Sequence, residues 1–284
     1  MFDNVKAATD ALLQCCNISG RPIAQSEVYN ETWLLRLVLA KLYDTTDPFS
    51  GDYAEILEHL HKAVRIRWIS EGGLRPTLEK EGTTWTDAIL GNVALRNDSE
   101  VERDSGSKRG VRIDLDNENN VGVIVVEAKV GSKLASGTSN HKAYNQAARN
   151  IACLAKLIMD SEVKDVADKC RFADKCRFVV MCPNPQDYSN QKVIKPFQAN
   201  WNAAKDTLKK ACEIIEEYHG KRDNGTTLFK EESELATFKK IVEKIVNRSR
   251  LISWESIIKI LNNDYIQAFY QKVLDENEIG KGCR

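Results

Sequence analysis

The sequence predicts an α/β domain, and three observations carry that reading. Val121–Val130 and Phe178–Cys182 are short runs rich in β-branched and apolar residues, with the length of buried strands rather than helices. They alternate with longer segments whose apolar residues recur at helical spacing. No low-complexity linker divides the 284 residues, so one domain is expected over 1–284. Its core is expected at about 27–182, as a mixed sheet flanked by helices. Helical elaborations are expected at both ends, the C-terminal one over about 199–284.

Composition narrows the function classes. Forty-one basic residues balance 41 acidic ones, so binding to nucleic acid would need local positive patches. The opening MFDNVKAATD is polar and mixed in charge, unlike a secretory signal. No run of about 18 apolar residues suggests a membrane span. A soluble, cytoplasmic protein without membrane partners is expected. The eight cysteines then read as free thiols. Cys170, Cys176 and Cys182 are six apart, which is no zinc spacing; part of it comes from the repeated DKCRF at 168–172 and 174–178.

In chain order, helices are expected over 3–16, over Glu27–Tyr43 and over Tyr53–Ser70. In the second, Trp33, Leu34, Leu37, Val38 and Leu42 form one apolar stripe. Glu71-Gly72-Gly73 breaks the third. The segment EGTTWTDAILGNVALR at 81–96 has no sustained period, and a short helix or strand is expected around Ala88–Leu95. Val111–Asp116 and Val121–Val130 read as an antiparallel hairpin turned at Asn117–Asn120. A Gly/Ser/Thr loop over 131–140 leads into a helix at Asn140–Met159. Strand Phe178–Cys182 stops at Pro183. Helices are then expected over Trp201–His219, Glu231–Val246 and Ser253–Val273, with a short strand at Arg250–Ile252.

The chemistry concentrates on Val121–Val130. Alternation puts Val123, Val125, Glu127 and Lys129 on one face, so an apolar strand ends in a carboxylate and an ammonium. Charges are seldom buried without partners. One reading is a structural ion pair on a half-exposed sheet. The other brings in Asp114, twelve intervening residues before Glu127 and across the expected turn. Two carboxylates side by side repel unless a cation sits between them. Hard oxygen ligands suit Mg²⁺ or Mn²⁺, and the Ala128 carbonyl can add a third. Lys129 can orient a water or stabilise charge on a phosphate.

Ile113-Asp114, then Glu127-Ala128-Lys129, then a helix bearing Gln146 resembles the PD-(D/E)XK nuclease superfamily, the restriction-endonuclease-like fold. The resemblance covers roughly residues 111–182; Ile113 stands where the family name has Pro. It implies that Asp114 and Glu127 bind Mg²⁺, with Mn²⁺ as a substitute, and that Lys129 assists phosphodiester hydrolysis. It also implies a catalytic Gln146 and an upstream acid on an N-terminal helix. Glu31 is the first candidate for that acid and Asp87 its rival, with Glu71 and Glu81 behind. Lys133, Lys142 and Arg149 are candidate nucleic-acid contacts, with Ser136, Thr138 and His141 in the same loop. The implied activity is a nuclease, endonuclease before exonuclease, acting on DNA, with RNA open, in restriction, defence or repair. A homodimer would let two sites cut two strands. The alternative is a catalytically silent member that binds nucleic acid or assembles with a partner.

Overall fold

The structure, a computed structural model, describes residues 1–15, 25–74, 77, 84–95, 110–115, 120–130, 144–163, 165–188, 191–220, 229 and 231–282. The chain opens with helices α1 (Phe2–Cys15), α2 (Gln25–Val28), α3 (Glu31–Asp44) and α4 (Ala54–Ile66). Strands β1 (Trp68–Leu74), β2 (Thr84–Gly91), β3 (Val93–Leu95), β4 (Val111–Ile113) and β5 (Val123–Ala128) follow. Then come α5 (Gln146–Met159), α6 (Val166–Ala173), β6 (Arg177–Cys182), α7 (Gln191–Gly220) and α8 (Glu232–Arg248). Strand β7 (Arg250–Ser253) and helices α9 (Trp254–Leu261) and α10 (Asp264–Gly282) close the chain.

Five strands form a mixed sheet in the order β1-β2-β5-β6-β7. The first two neighbour pairs are antiparallel and the last two parallel. Each face carries its own core, as alternation along the strands requires. Ile124, Val126 and Ala128 of β5 pack toward α3, α4, α9 and α10. Val123 and Val125 pack toward α5, α7 and α8. Buried on both faces, β5 is apolar throughout until Glu127, which is why it reads as a continuous hydrophobic run.

Several expectations are corrected. The helix over Glu27–Tyr43 is two, because the Asn30 side chain accepts the Trp33 N–H at 3.0 Å and starts α3 afresh. The helix expected to Ser70 ends at Ile66, and Trp68–Leu74 is a strand through the two glycines. Of the two readings of Ala88–Leu95 the strand holds, divided between β2 and β3. The hairpin of Val111–Asp116 with Val121–Val130 does not form: β4 pairs with β3 in a separate two-stranded sheet, and β2 pairs with β5. Helix α7 starts ten residues before Trp201, at Gln191, and Asn262, at φ +43°, splits Ser253–Val273 into α9 and α10. The loop over 131–143, with Lys133, Ser136, Thr138, His141 and Lys142, lies outside the described residues, as does Glu81. Among the described residues no helix is long and apolar enough to cross a membrane.

Candidate active site

The β2–β5 ladder ends with Ala88 paired to Val126, and Asp87 and Glu127 are the next residues of the two strands. Both strands carry their carboxylate at the same end of the sheet. Glu127 is 1% exposed, yet its oxygens are fully engaged. Lys129 Nζ lies 2.6 Å from Oε1, which also accepts from the Gln146 amide. Asn150 Nδ2 donates to Oε2 at 3.0 Å. Gln146 and Asn150 are one turn apart on α5, so a single helix face presents both amides. Asn145 caps that helix, accepting from the Ala147 and Ala148 N–H groups at 3.1 Å each.

Asp87 is set differently. Its Oδ2 accepts the Ala128 N–H at 2.7 Å and stands 4.0 Å from Lys129 Nζ. Its side chain is 20% exposed against 8% for Lys129, so the site meets solvent at Asp87. Glu31, the first residue of α3, accepts the Val130 N–H at 2.8 Å, and its charge is felt by both Asp87 and Lys129. On the other side, the Trp254 indole N–H donates to the Lys129 carbonyl at 3.1 Å.

The electrostatics follow from burial and crowding. Desolvation and then the Asp87 charge push the Glu127 carboxyl up to about 8, against the pull of Lys129 and Asn150. Burial also raises Asp87, with Glu31 adding to it and Lys129 opposing. Burial pulls the Lys129 ammonium down, but Glu127 and Asp87 outweigh it and the net shift is upward. With Glu127 ionised the pocket would hold more negative charge than Lys129 neutralises, and a proton kept on Glu127 relieves that excess.

The expected partner Asp114 is elsewhere, a consequence of the strand pairing. It sits just past β4, its N–H bonded to the Asn92 carbonyl and its Oδ2 3.0 Å from Arg67 Nη1. Asn92 also holds Val121 and Gly122 at the start of β5. Glu127 lies five residues beyond Gly122, roughly 16 Å at strand rise. Asp114 is thus a structural ion pair at the far end of the sheet. Asp87, the rival candidate to Glu31, stands beside Glu127, and Glu31 joins them.

The structure therefore brings together Glu31, Asp87, Glu127, Ala128, Lys129 and Gln146. Arg149 follows on α5 with a buried Nε. Asn150, which helical spacing groups with Lys142, Gln146 and Arg149, binds Glu127 rather than standing on a solvated face; Trp254 is a site residue the sequence does not announce. The signal for Asn150 was an amide four residues after Gln146 inside the Ala147/Ile151/Leu154 stripe; nothing marked Trp254 beyond an apolar helix position.

Among the described residues no three His, Cys, Asp or Glu side chains stand as a ready metal-holding group. The Asp87–Glu127 pair nonetheless fits a divalent cation in its chemistry: hard oxygens, buried, mutually repelling and short of positive charge. Comparison with known proteins yields no relative: no family model, no curated protein and no solved structure matches the chain.

Proposed function

We propose that this chain is a Mg²⁺-dependent nuclease of the PD-(D/E)XK kind, hydrolysing phosphodiester bonds in DNA. The observation that carries the reading is the juxtaposition of Asp87 with the Glu127-x-Lys129 triplet at one end of neighbouring strands. Gln146 from the next described helix and Glu31 from a helix ahead of the sheet complete the set. Helix, strand with Asp, strand with Glu-x-Lys, helix with Gln is the order the resemblance implies, with Asp87 as its aspartate.

The residues divide the work. Asp87 and Glu127 would hold Mg²⁺, or Mn²⁺ in its place, with the Ala128 carbonyl as a further oxygen. The ion would supply charge neutralisation on the scissile phosphate and a more acidic water. Gln146 and Asn150 hold the Glu127 carboxylate in one orientation. The Lys129 ammonium lies close enough to both carboxylates to orient the attacking water and to stabilise the charge that grows on the phosphate oxygens. Water oxygen bonds to phosphorus and gives a proton to solvent, while the bond to the leaving oxygen breaks and that oxygen takes up a proton from solvent. Arg149, Lys133 and Lys142 are the backbone contacts that an electrically neutral protein would need.

Purified protein incubated with linear and supercoiled DNA and with RNA, with Mg²⁺, with Mn²⁺ and with EDTA, tests this. Cleavage that EDTA abolishes is expected, and Lys129→Ala or Glu127→Ala should lower it by about 100-fold or more. Full activity in either variant would sink the assignment. Salt-dependent binding without any cleavage would favour a silent binding module instead.

A further inference from the structure

Strand β1 carries Glu71 at φ +56°, in the left-handed region. Among the described non-glycine residues only Asn262 shares that region, and it closes helix α9, where such a conformation is ordinary. Inside a strand it is not. The position is telling. The β1–β2 ladder pairs Ser70 with Ala88 and Gly72 with Thr86, so the rung between them would be Glu71 with Asp87.

Both strands turn over at that rung. Ile69 and Ile89 pack into the core on the α5 side. Five residues from Ile69, Leu74 packs into the same core, and five from Ile89 the Thr84 hydroxyl meets the Cys153 thiol on α5. In a regular strand residues five apart face opposite ways. The register is unbroken on either side, so the strands have rotated without slipping.

The rotation shows in the next ladder. Asn92 N–H donates to the Gly122 carbonyl, and bonded rungs of an antiparallel pair recur every second residue. The series 92/122, 90/124, 88/126 would continue at 86/128, with Ala128 N–H on the Thr86 carbonyl. It donates to the Asp87 carboxylate at 2.7 Å instead. Asp87 has taken a main-chain place in the sheet. The turn is braced from α3, where Arg36 stacks 4.5 Å over the Trp33 ring, donates to the Ser70 hydroxyl at 3.0 Å and meets Glu71 Oε1 at 3.3 Å.

We propose that Glu71 is a positioning residue whose left-handed backbone turns β1 and β2 over and aims the Asp87 carboxylate at β5. Its consequence for cleavage rests on Asp87 working in the nuclease site proposed above. The backbone, not the charge, is the active feature.

Glu71→Gly and Glu71→Val separate the two. Glycine accepts φ +56° and drops the carboxylate; valine, β-branched, opposes the conformation. Amide hydrogen exchange at Ala128, with Val126 one bonded rung away as control, reads the geometry without requiring activity. In Glu71→Gly, Ala128 protection and kcat should stay within about threefold of wild type. In Glu71→Val, Ala128 protection should fall at least about tenfold with Val126 still slow, and kcat should fall with KM unchanged. If the valine variant does not fold, Glu71→Ala takes its place, with the same direction and a smaller loss. Wild-type behaviour in the disfavoured variant, or loss in Glu71→Gly, overturns the proposal. A wild-type protein that cuts nothing defeats the nuclease reading, while the exchange measurement still decides on Glu71.

Discussion

Glu127 carries the electrostatic tension of the site. Its oxygens receive three side-chain donors, yet burial and Asp87 hold its carboxyl near 8. Between 4.5, the ordinary value, and about 8, the folded chain keeps a proton that the unfolded chain has released. Stability contributed by that proton is present at low pH and is lost as pH rises through this window. Glu127→Gln removes the titration, so its melting temperature should exceed wild type at pH 8 to 9. The gain should be several kcal/mol, at most about 5, and should vanish below about pH 4.5. A difference that is flat with pH would refute the buried, proton-holding carboxyl. The two aspartates part in the same way. Asp87→Asn should lower cleavage by about 100-fold. Asp114→Asn should leave kcat within about threefold and only loosen the Arg67 contact, worth up to about 1 kcal/mol at a half-exposed pair. Equal losses in both would restore Asp114 to the site. The Glu127/Lys129 pair was legible because an apolar strand ending in two charges is rare. Asp114 misled because its spacing suits a hairpin, and nothing local reveals that its strand pairs with β3.

At the scale of elements, local sequence decides less than neighbours do. The pentapeptide DKCRF is helical at 168–172 in α6, whereas its copy at 174–178 passes through a turn into β6. Identical residues adopt two structures because Phe178 pairs with Val125 of β5 in the sheet, while Phe172 packs into the core from α6. Strands β5 and β6 were readable because burial on both faces gives a continuous apolar run. Strand β2 was not, since Thr84, Asp87 and Gly91 interrupt any period. The joint between β2 and β5 depends on two residues with no hydrophobic signature. Asn92 Oδ1 accepts the Val121 and Gly122 N–H groups at 2.9 and 3.1 Å. Gly122, at φ +81°, lies so close to Lys175 that a Cβ would stand 2.6 Å from its carbonyl. Gly122→Ala should therefore destabilise by about 2 kcal/mol or more, from strain and contact together. Chemical denaturation gives the number, and a loss under 0.5 kcal/mol, the ordinary surface range, would contradict the tight joint.

At the scale of the molecule, the C-terminal segment is part of what builds the site. β7 covers the edge of β6, and Trp254, the first residue of α9, reaches the Lys129 carbonyl. Ile252, Trp254, Ile257, Leu261, Ile266, Phe269 and Val273 belong to the same buried cluster as α3, α4 and β5. Glu255 ties in the turn after β6: its Oε2 accepts the Asn184 N–H at 3.0 Å, and its Oε1 accepts the Tyr188 and Tyr270 hydroxyls at 2.5 Å. Each large apolar side chain buried here contributes about 1.5–3 kcal/mol, against a net stability of about 5–15 kcal/mol for a whole domain. A chain ending at Arg248 would lose all of them and bare the β6 edge. It should show no cooperative melting by circular dichroism, and a cooperative transition would contradict this account. Trp254→Phe probes the same link more gently. It keeps most of the apolar bulk but leaves the Lys129 carbonyl without its indole donor, a loss of about 1 kcal/mol. Because that carbonyl fixes the backbone beneath the Lys129 ammonium, kcat should fall several-fold while DNA affinity holds. An unchanged kcat in a variant that melts about 1 kcal/mol lower would make Trp254 a packing residue only.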